Sequence, residues 1–202
     1  VVHDLAIMCG LDVPEAKLER FSKSGSTFLT KRFDRNESRR IHFSSAMTLL
    51  GKKDGSNASD GSSYLEMASL LRKYGATPKK DLVELWKRIV FNMAVSNTDD
   101  HLRNHGFLLI NEGWHLSPLY DVNPNPDGDA LSLNVDEYSN LIDFELILSV
   151  ASIFGITDEK ATNYIEDVKV IVANNWRKVS KIHGLSRGEI EYMSPAFDME
   201  YK

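Results

Sequence analysis

The chain has 202 residues, 42% of them apolar and 26% charged, and its 24 basic and 29 acidic residues give a formal net charge of −5. This composition predicts one folded domain, or one lobe of a larger protein, and excludes wholesale disorder. The sequence has no apolar run near the roughly 20 residues of a membrane span, and its single cysteine, Cys9, excludes a disulfide framework.

The first quarter of the chain mixes helix and strand patterns. Residues 1–10 are typical of a helix that stops at Gly10, and the β-branched and aromatic residues of 26–33 predict a short edge strand. A helix is predicted over 39–50. The Gly/Ser/Asp-rich stretch 51–63 then predicts a mobile loop.

Two helices follow, and the second has the clearest pattern in the sequence. The first is predicted over 64–74 and is closed by Gly75. In the second, Thr77 can cap the first turn, Pro78 suits the first helical position, and the helix ends near Ser96. Its apolar residues repeat at intervals of three and four and predict one buried stripe: Leu82, Leu85, Trp86, Ile89, Val90, Met93 and Ala94.

The second half of the chain predicts a hairpin and then three helices. Two apolar runs predict the hairpin over 106–118, with Gly113 available for positive φ in its turn. Helices are predicted over 141–154, from Thr157 onward, and after a capping box at Ser186. The sequence therefore predicts a mainly α fold with a small β-hairpin.

Acidic and amide side chains gather around the predicted hairpin. Asp99 and Asn104 have the D-x-x-x-x-N spacing of a kinase catalytic loop, and the hairpin returns Asp121 to the same end. Three clustered carboxylates, with Asp100 as the third, repel one another unless a divalent cation lies between them. The alternative is that these residues only cap turns and begin strands, and the motif alone leaves that alternative open.

Two histidines, His101 and His105, are four residues apart, as helical zinc ligands are. The glutamate of H-E-x-x-H is missing and the stretch is predicted to run from loop to strand, so zinc is not expected. We expect His101 to orient the loop or contact phosphate, and His105 to have a structural role.

The segments NTDDHLRNHGFLL and WHLSPLYDVNPNP resemble the C-terminal domain of the HipA-like toxin kinases, which are bacterial serine/threonine kinases of toxin–antitoxin systems. The upstream segments GLDVPEAKL, LTKRFDR, RIHFSSAMTLLGKKDGS and SYLEMASLL resemble the same family in the same order. The resemblance implies the larger, C-terminal lobe of a protein-kinase-like fold and an ATP- and Mg²⁺-dependent transfer to protein Ser or Thr hydroxyls.

The resemblance also implies roles for individual residues. Asp99 would be the catalytic base, and Asn104 and Asp121 would hold magnesium. The residues expected at the nucleotide are Lys31, Arg32, Phe33, Asp34, His101, Leu102, Arg103, Asn104 and Tyr120. The family often has an acidic residue at the position of Lys31, and contacts to adenine through the backbone survive that change.

The family's N-terminal lobe, with its phosphate-covering loop and lysine, has no counterpart motif here. We therefore expect the sequence, which begins at Val1, to be a piece of a longer protein, or to act with a lobe supplied by a separate polypeptide. We also expect this chain alone to bind ATP weakly and to phosphorylate poorly. Residues 1–36 would form the lobe junction and linker strand, and 37–202 the helical lobe, with the catalytic loop at 97–104 and the hairpin at 105–119.

The expected partners follow from the resemblance. They are a HipB-like DNA-binding antitoxin and a protein substrate, with aminoacyl-tRNA synthetases among the substrates of the family. No membrane contact is expected, the expected location is the cytoplasm, and the acidic total argues against direct nucleic-acid binding by this chain. Two alternatives are a non-catalytic module that binds an antitoxin or a DNA complex, and a small-molecule phosphotransferase.

Overall fold

The computed structural model describes residues 1–22, 25–36, 39–111, 113–200 and 202. The helices in these ranges are α1 (Val2–Met8), α2 (Ala46–Leu49), α3 (Tyr64–Tyr74), α4 (Pro78–Ala94), α5 (Phe144–Ser149), α6 (Asp158–Ile182) and α7 (Arg187–Met193). The strands are β1 (Ala16–Ser22), β2 (Gly25–Thr30), β3 (Arg35–Asn36), β4 (Arg39–Arg40), β5 (His42–Ser45), β6 (Gly106–Ile110) and β7 (Gly113–Leu116). Short 3₁₀ helices lie at Ala58–Asp60, Ala151–Phe154 and Ser194–Phe197.

Helix α4 runs through the centre of the core. Pro78 occupies its first turn, as predicted, and every residue of the predicted apolar stripe is buried. The helix packs against α3, α5, α6 and β7. This packing gives the residues that follow its C-terminus a rigid support.

The predictions for the other helices are confirmed in most of their bounds. Helix α3 has the predicted ends, and α7 begins with the predicted capping box, in which Ser186 N donates to Glu189 Oε2 over 2.7 Å. The single helix predicted over 141–154 is instead α5 followed by the 3₁₀ turn Ala151–Phe154. The longest helix, α6, has a polar face, and among the described residues no helix has both the length and the apolarity to cross a membrane.

The helix predicted over 39–50 is wrong for most of its length. Strands β4 and β5 occupy its first part, and only Ala46–Leu49 is helical. Strand β5 pairs antiparallel with β6, and β6 pairs with β7, so the predicted hairpin is part of a three-stranded sheet. The prediction is wrong because strand β5 is stabilised by its cross-strand neighbours in β6. Since β6 lies more than 60 residues further along the chain, the local sequence pattern around β5 does not reveal this pairing.

Two further ribbons stand outside this sheet. The predicted edge strand is β2, which ends at Thr30 and pairs with β1, a strand that the sequence analysis did not predict. Strands β3 and β4 form a ribbon of two residue pairs. At the β6–β7 turn Asn111, rather than Gly113, has the positive φ of 54°, and Glu112 lies outside the described residues.

The loop predicted over 51–63 is anchored in its second half. Ala58 N donates to Ser132 O over 2.8 Å, and Asn134 N donates to Ser62 O over 2.9 Å. Ser62 is fully buried. Residues 57–63 therefore belong to the fixed part of the fold, and the prediction of a mobile loop is wrong there.

Candidate active site

A cavity of about 840 Å³ lies between α1, the connection from β2 to β3, and the segment that follows β7. Phe33, Phe43 and Tyr120 are among the residues that line it. The Phe33 ring centroid lies 5.6 Å from that of Tyr120 and 6.1 Å from that of Phe43. Ligand pockets are roughly 300–1,000 Å³ in volume, and bases stack on aromatic rings. This large cavity therefore suits a ligand of nucleotide size with a planar base.

All four predicted linker residues, Lys31 to Asp34, line the large cavity. Lys31 N donates to Glu15 O over 2.8 Å, and Lys31 Nζ lies 3.1 Å from Glu15 Oε1. Arg32 Nε donates to Asp34 Oδ1 over 2.8 Å, and this hydrogen bond lowers the pKa of the Asp34 carboxyl. The Asp34 carboxylate, one of the groups expected at the nucleotide, is thus already engaged by Arg32.

The loop that carries Asp99 begins where α4 ends. Asn97 N donates to Asn92 O over 2.8 Å, and Asn97 Nδ2 donates to Asn92 Oδ1 over 3.1 Å. Ser132 Oγ donates to Thr98 O over 2.8 Å. These contacts fix the backbone immediately before Asp99, and Asp99 itself is exposed.

Asn104 joins the predicted base to the predicted metal ligand. Its side chain is buried, and Nδ2 donates to Asp99 O over 3.1 Å and to Asp121 O over 3.4 Å. Tyr120 Oη donates to Arg103 O over 2.6 Å and ties the same two segments together. The Asn104 amide thus holds the backbones of Asp99 and Asp121 together at the end of the β6–β7 hairpin.

The oxygen atoms of Asp99, Asn104 and Asp121 are of the chemical kind that Mg²⁺ takes as ligands. Asp99 and Asp121 are exposed carboxylates. The amide nitrogen of Asn104 donates to the backbone, which leaves its amide oxygen available as a metal ligand. In the described part of the chain no three His, Cys, Asp or Glu side chains form a group that could hold a metal. Mg²⁺ is usually bound by one or two protein oxygens together with phosphate oxygens and waters. Asn104 and Asp121 would supply that number of protein oxygens.

A second, smaller cavity of about 190 Å³ lies between the catalytic loop and residues 53–57. Asp99, His101, Leu102 and Arg103 line it. Arg103 forms an ion pair with Asp54 across the cavity edge. The residues predicted for the nucleotide are therefore divided: the linker, Tyr120 and Asp121 face the large cavity, and His101 to Arg103 face the small one.

Asp100 does not belong to the cation cluster in which the sequence analysis placed it. It is 1% exposed, and its Oδ2 accepts hydrogen bonds from Tyr64 Oη and Asn92 Nδ2, both at 2.7 Å. His105 Nε2 lies 2.9 Å from the same oxygen. Burial raises the pKa of this carboxyl, but the charge and hydrogen bonds of its neighbours outweigh burial and lower the pKa overall. Asp100 is a buried structural acid, and His105 has the structural role expected of it.

Two residues of the site were missed by the sequence analysis. Phe43 lines the large cavity but lay in the segment wrongly predicted as helix. Arg88 is 1% exposed and donates to Ser117 O over 2.6 Å, which fixes the chain just before Leu119. The signal for Arg88 was visible, because an arginine three residues after Leu85 falls on the apolar stripe of α4.

Two curated proteins are similar to this chain in sequence. The protein named "Putative kinase Y4mE" from Sinorhizobium fredii (strain NGR234) is 34% identical over 129 residues, which cover 60% of this chain and 30% of the relative. A "Putative kinase" from Haemophilus influenzae is 30% identical over 132 residues, which cover 58% of this chain and 38% of the relative. The chain thus spans about a third of the length of these relatives.

Two solved structures share the fold. HipA of Shewanella oneidensis MR-1, solved in complex with HipB and its operator DNA, matches with a TM-score of 0.75 at 18% identity, covering 97% of this chain and 53% of that one. The proinflammatory kinase CtkA of Helicobacter pylori matches with a TM-score of 0.55 at 14% identity, covering 90% of this chain and 86% of that one. The fold is therefore kinase-like. A family model described as the HipA-like C-terminal domain matches residues 1–176, and the chain accordingly belongs to the HipA-like C-terminal domain family.

Proposed function

We propose that this chain is the larger lobe of an ATP- and Mg²⁺-dependent serine/threonine protein kinase of a bacterial toxin–antitoxin system. The observation that carries the proposal is the buried Asn104 amide, which contacts the backbones of Asp99 and Asp121 at once. A kinase needs a base and a metal-binding acid held at a fixed separation, and this amide supplies the connection.

The nucleotide would occupy the large cavity. Its aromatic side chains, Phe33, Phe43 and Tyr120, would contact the adenine ring, and the backbone of Lys31 to Phe33 would supply polar contacts. Arg32 and Asp34 pair with each other at the cavity edge, so we assign them a role in shaping the rim. Asn104 and Asp121 would hold magnesium, which neutralises phosphate charge when it is bound.

Asp99 would act on the acceptor hydroxyl. Its exposed carboxylate lines the small cavity, and we place the acceptor Ser or Thr on that side, opposite the nucleotide. The hydroxyl oxygen forms a bond to the γ-phosphorus while the bond from that phosphorus to the β–γ bridging oxygen breaks. The carboxylate accepts the hydroxyl proton and ADP leaves.

An antitoxin partner is part of the proposal. The HipA of Shewanella oneidensis is in complex with HipB and operator DNA, and we propose a HipB-like partner for the protein that contains this chain. The net charge of −5 favours leaving DNA contact to that partner, because DNA binding depends on basic side chains that release counterions.

The assay that tests this proposal incubates the full-length protein with labelled ATP and Mg²⁺. The phosphoryl acceptor is either the full-length protein itself or the proteins of a cell extract. Replacing Asp99 with Ala should lower the phosphorylation rate by about 100-fold or more, because a positioned base contributes about 10²–10⁴-fold. Removing magnesium with EDTA should have a similar effect on the unmodified protein.

The matched control is Asp167→Ala, which removes an exposed carboxylate from α6, away from both cavities. Its rate should equal that of the unmodified protein. Equal phosphorylation by the Asp99→Ala and Asp167→Ala proteins would refute the assignment of Asp99 as base.

A further inference from the structure

A buried hydrogen-bond chain runs beneath the catalytic loop. Asp100 accepts from Tyr64 at the start of α3 and from Asn92 in α4, both over 2.7 Å. Asn92 in turn accepts from Asn97 Nδ2 over 3.1 Å. Asp100, Asn92 and Asn97 are each at most 1% exposed, so this chain of polar groups is closed to water.

The same chain continues to the predicted metal ligand. Asn97 Oδ1 accepts from Asn123 N over 3.1 Å, and Asn123 Nδ2 donates to Asp121 Oδ1 over 2.9 Å. An unbroken series of contacts therefore leads from Tyr64, past the residue next to Asp99, to the carboxylate of Asp121. We call the residues Tyr64, Asp100, Asn92, Asn97 and Asn123 the polar relay.

Filling a core with polar side chains, as this relay does, costs more free energy than filling it with apolar ones. A buried carboxylate loses its hydration and is tolerated only when it is fully paired, and apolar side chains of equal volume are often as stable or more so. A buried network whose hydrogen bonds are all satisfied holds its side chains in one geometry, because any other arrangement would leave polar groups unpaired. The relay provides that geometry directly below Asp99 and behind Asp121.

We propose that Asp100, Asn92 and Asn97 are positioning residues that set the separation between Asp99 and Asp121. The inference rests on the proposed kinase function, in which those two acids act on opposite sides of the transferred phosphoryl group. Asp100, Asn92 and Asn97 contribute to turnover and not to nucleotide affinity, because none of the three lines the large cavity, whereas Asn123 at the end of the relay does.

Two variants with matched controls test this role in the full-length protein. Tyr64→Phe removes one relay hydroxyl, and its control Tyr164→Phe removes the hydroxyl that donates to Cys9 O over 3.1 Å elsewhere in the fold. Asn97→Ala breaks the middle of the relay, and its control Asn175→Ala removes an amide that donates to Ile171 O in α6.

We expect Tyr64→Phe to lower kcat by about 10-fold, which corresponds to the free energy of one hydrogen bond. We expect Asn97→Ala to lower kcat by about 100-fold, because a small displacement of reacting groups has an effect of that size. The KM for ATP should change less than about threefold in both, whereas the controls should leave kcat unchanged even where they lower the thermal midpoint. The inference fails if each relay variant matches its control in kcat while the unmodified protein is active, a result that leaves the proposed function standing.

Hydrogen exchange followed by mass spectrometry tests the relay without any activity. Tyr64→Phe should speed exchange in peptides covering residues 120–125, at the far end of the relay, and Tyr164→Phe should not. Faster exchange confined to the surroundings of Tyr64 would overturn the inference. Loss of activity in every protein, the unmodified one included, would count against the proposed function, and the exchange result would still decide on the relay.

Discussion

Gly106 opens strand β6 against the ring of Phe43, at the wall of the large cavity. A Cβ atom at this position would lie 2.3 Å from Phe43 Cε2 and 2.8 Å from Ser117 Oγ. Strand positions ordinarily favour large or β-branched residues, so the glycine here leaves space that the Phe43 ring fills. The shape of the cavity wall thus depends on a residue that does not itself line it.

Replacing Gly106 with Ala should push the Phe43 ring toward the cavity. We expect a loss of about 1–3 kcal/mol in the free energy of unfolding, as for other overpacked sites, together with weaker nucleotide binding. Urea denaturation and calorimetric titration with ATP and Mg²⁺ measure the two effects.

Gly188→Ala is the control, because a Cβ there meets nothing within 4 Å and the residue lies in α7. It should raise stability by up to about 1 kcal/mol, since glycine is unfavourable in helices. Equal stability of the two variants would show that the Phe43 ring moves aside freely.

Asp99 and Asp100 show what a sequence reveals about single residues. The D-x-x-x-x-N spacing singles out Asp99, which the structure shows to be exposed, but the spacing does not indicate that the adjacent Asp100 is buried. The burial of Asp100 depends on Tyr64 and Asn92, which belong to two other helices. Contacts of that kind follow from packing, and no local pattern encodes them.

At the scale of elements, Arg88 connects the central helix to the sheet. Its guanidinium donates to Ser117 O over 2.6 Å and to Glu84 Oε1 over 3.1 Å. Ser117 follows β7, and Leu119 N donates to Asp12 O over 2.7 Å just beyond it. The segment that delivers Tyr120 and Asp121 is therefore held from two sides before it reaches the site.

Replacing Arg88 with Met should release that segment. We expect a loss of about 3 kcal/mol in the free energy of unfolding, because removal of one partner leaves buried polar groups unpaired. Chemical denaturation measures the loss, and Lys160→Met, at an exposed position of α6, should stay within about 0.5 kcal/mol of the unmodified chain. A stabilised Arg88→Met chain would mean that the contact with Ser117 does not hold the segment.

Helices were easier to predict than strands in this chain, and the reason is physical. The period of α4 and the caps of α3 and α7 are local signals, and the structure confirms all three. Strand β5 depends on β6, which is joined to it only in the folded sheet. Local patterns alone therefore predict one helix over 39–50, although only Ala46–Leu49 is helical.

At the scale of the whole molecule, the β1–β2 ribbon lies at the edge of the common core and exposes apolar side chains. Leu18, Phe21 and Phe28 are exposed by 44%, 73% and 52%, although they are apolar. An isolated two-stranded ribbon is marginally stable in water. This part of the chain thus draws little of its stability from the common core.

Hydrogen exchange on this 202-residue chain should show that difference directly. Amides paired between β1 and β2 should exchange at least about 100-fold faster than those in the centre of α4, because local opening requires far less free energy than global unfolding. Similar protection in the two elements would contradict this view and would indicate that the ribbon is packed.

The family and the kinase-like fold were predictable from the sequence, and the division of the site was not. The residues predicted for the site face two cavities, except Asn104, which lines neither. Their roles in binding ATP and magnesium stay predictions for the experiments above.

Asp121 has a backbone φ of 56°, a left-handed conformation that costs most residues with a side chain about 1–2 kcal/mol, aspartate less, and that glycine adopts freely. An engineering campaign that selects only for heat resistance would therefore tend to replace this aspartate by glycine and discard a proposed magnesium ligand. Variant libraries designed to stabilise this protein should keep Asp121 unchanged, since natural proteins commonly combine lower stability with a functional site.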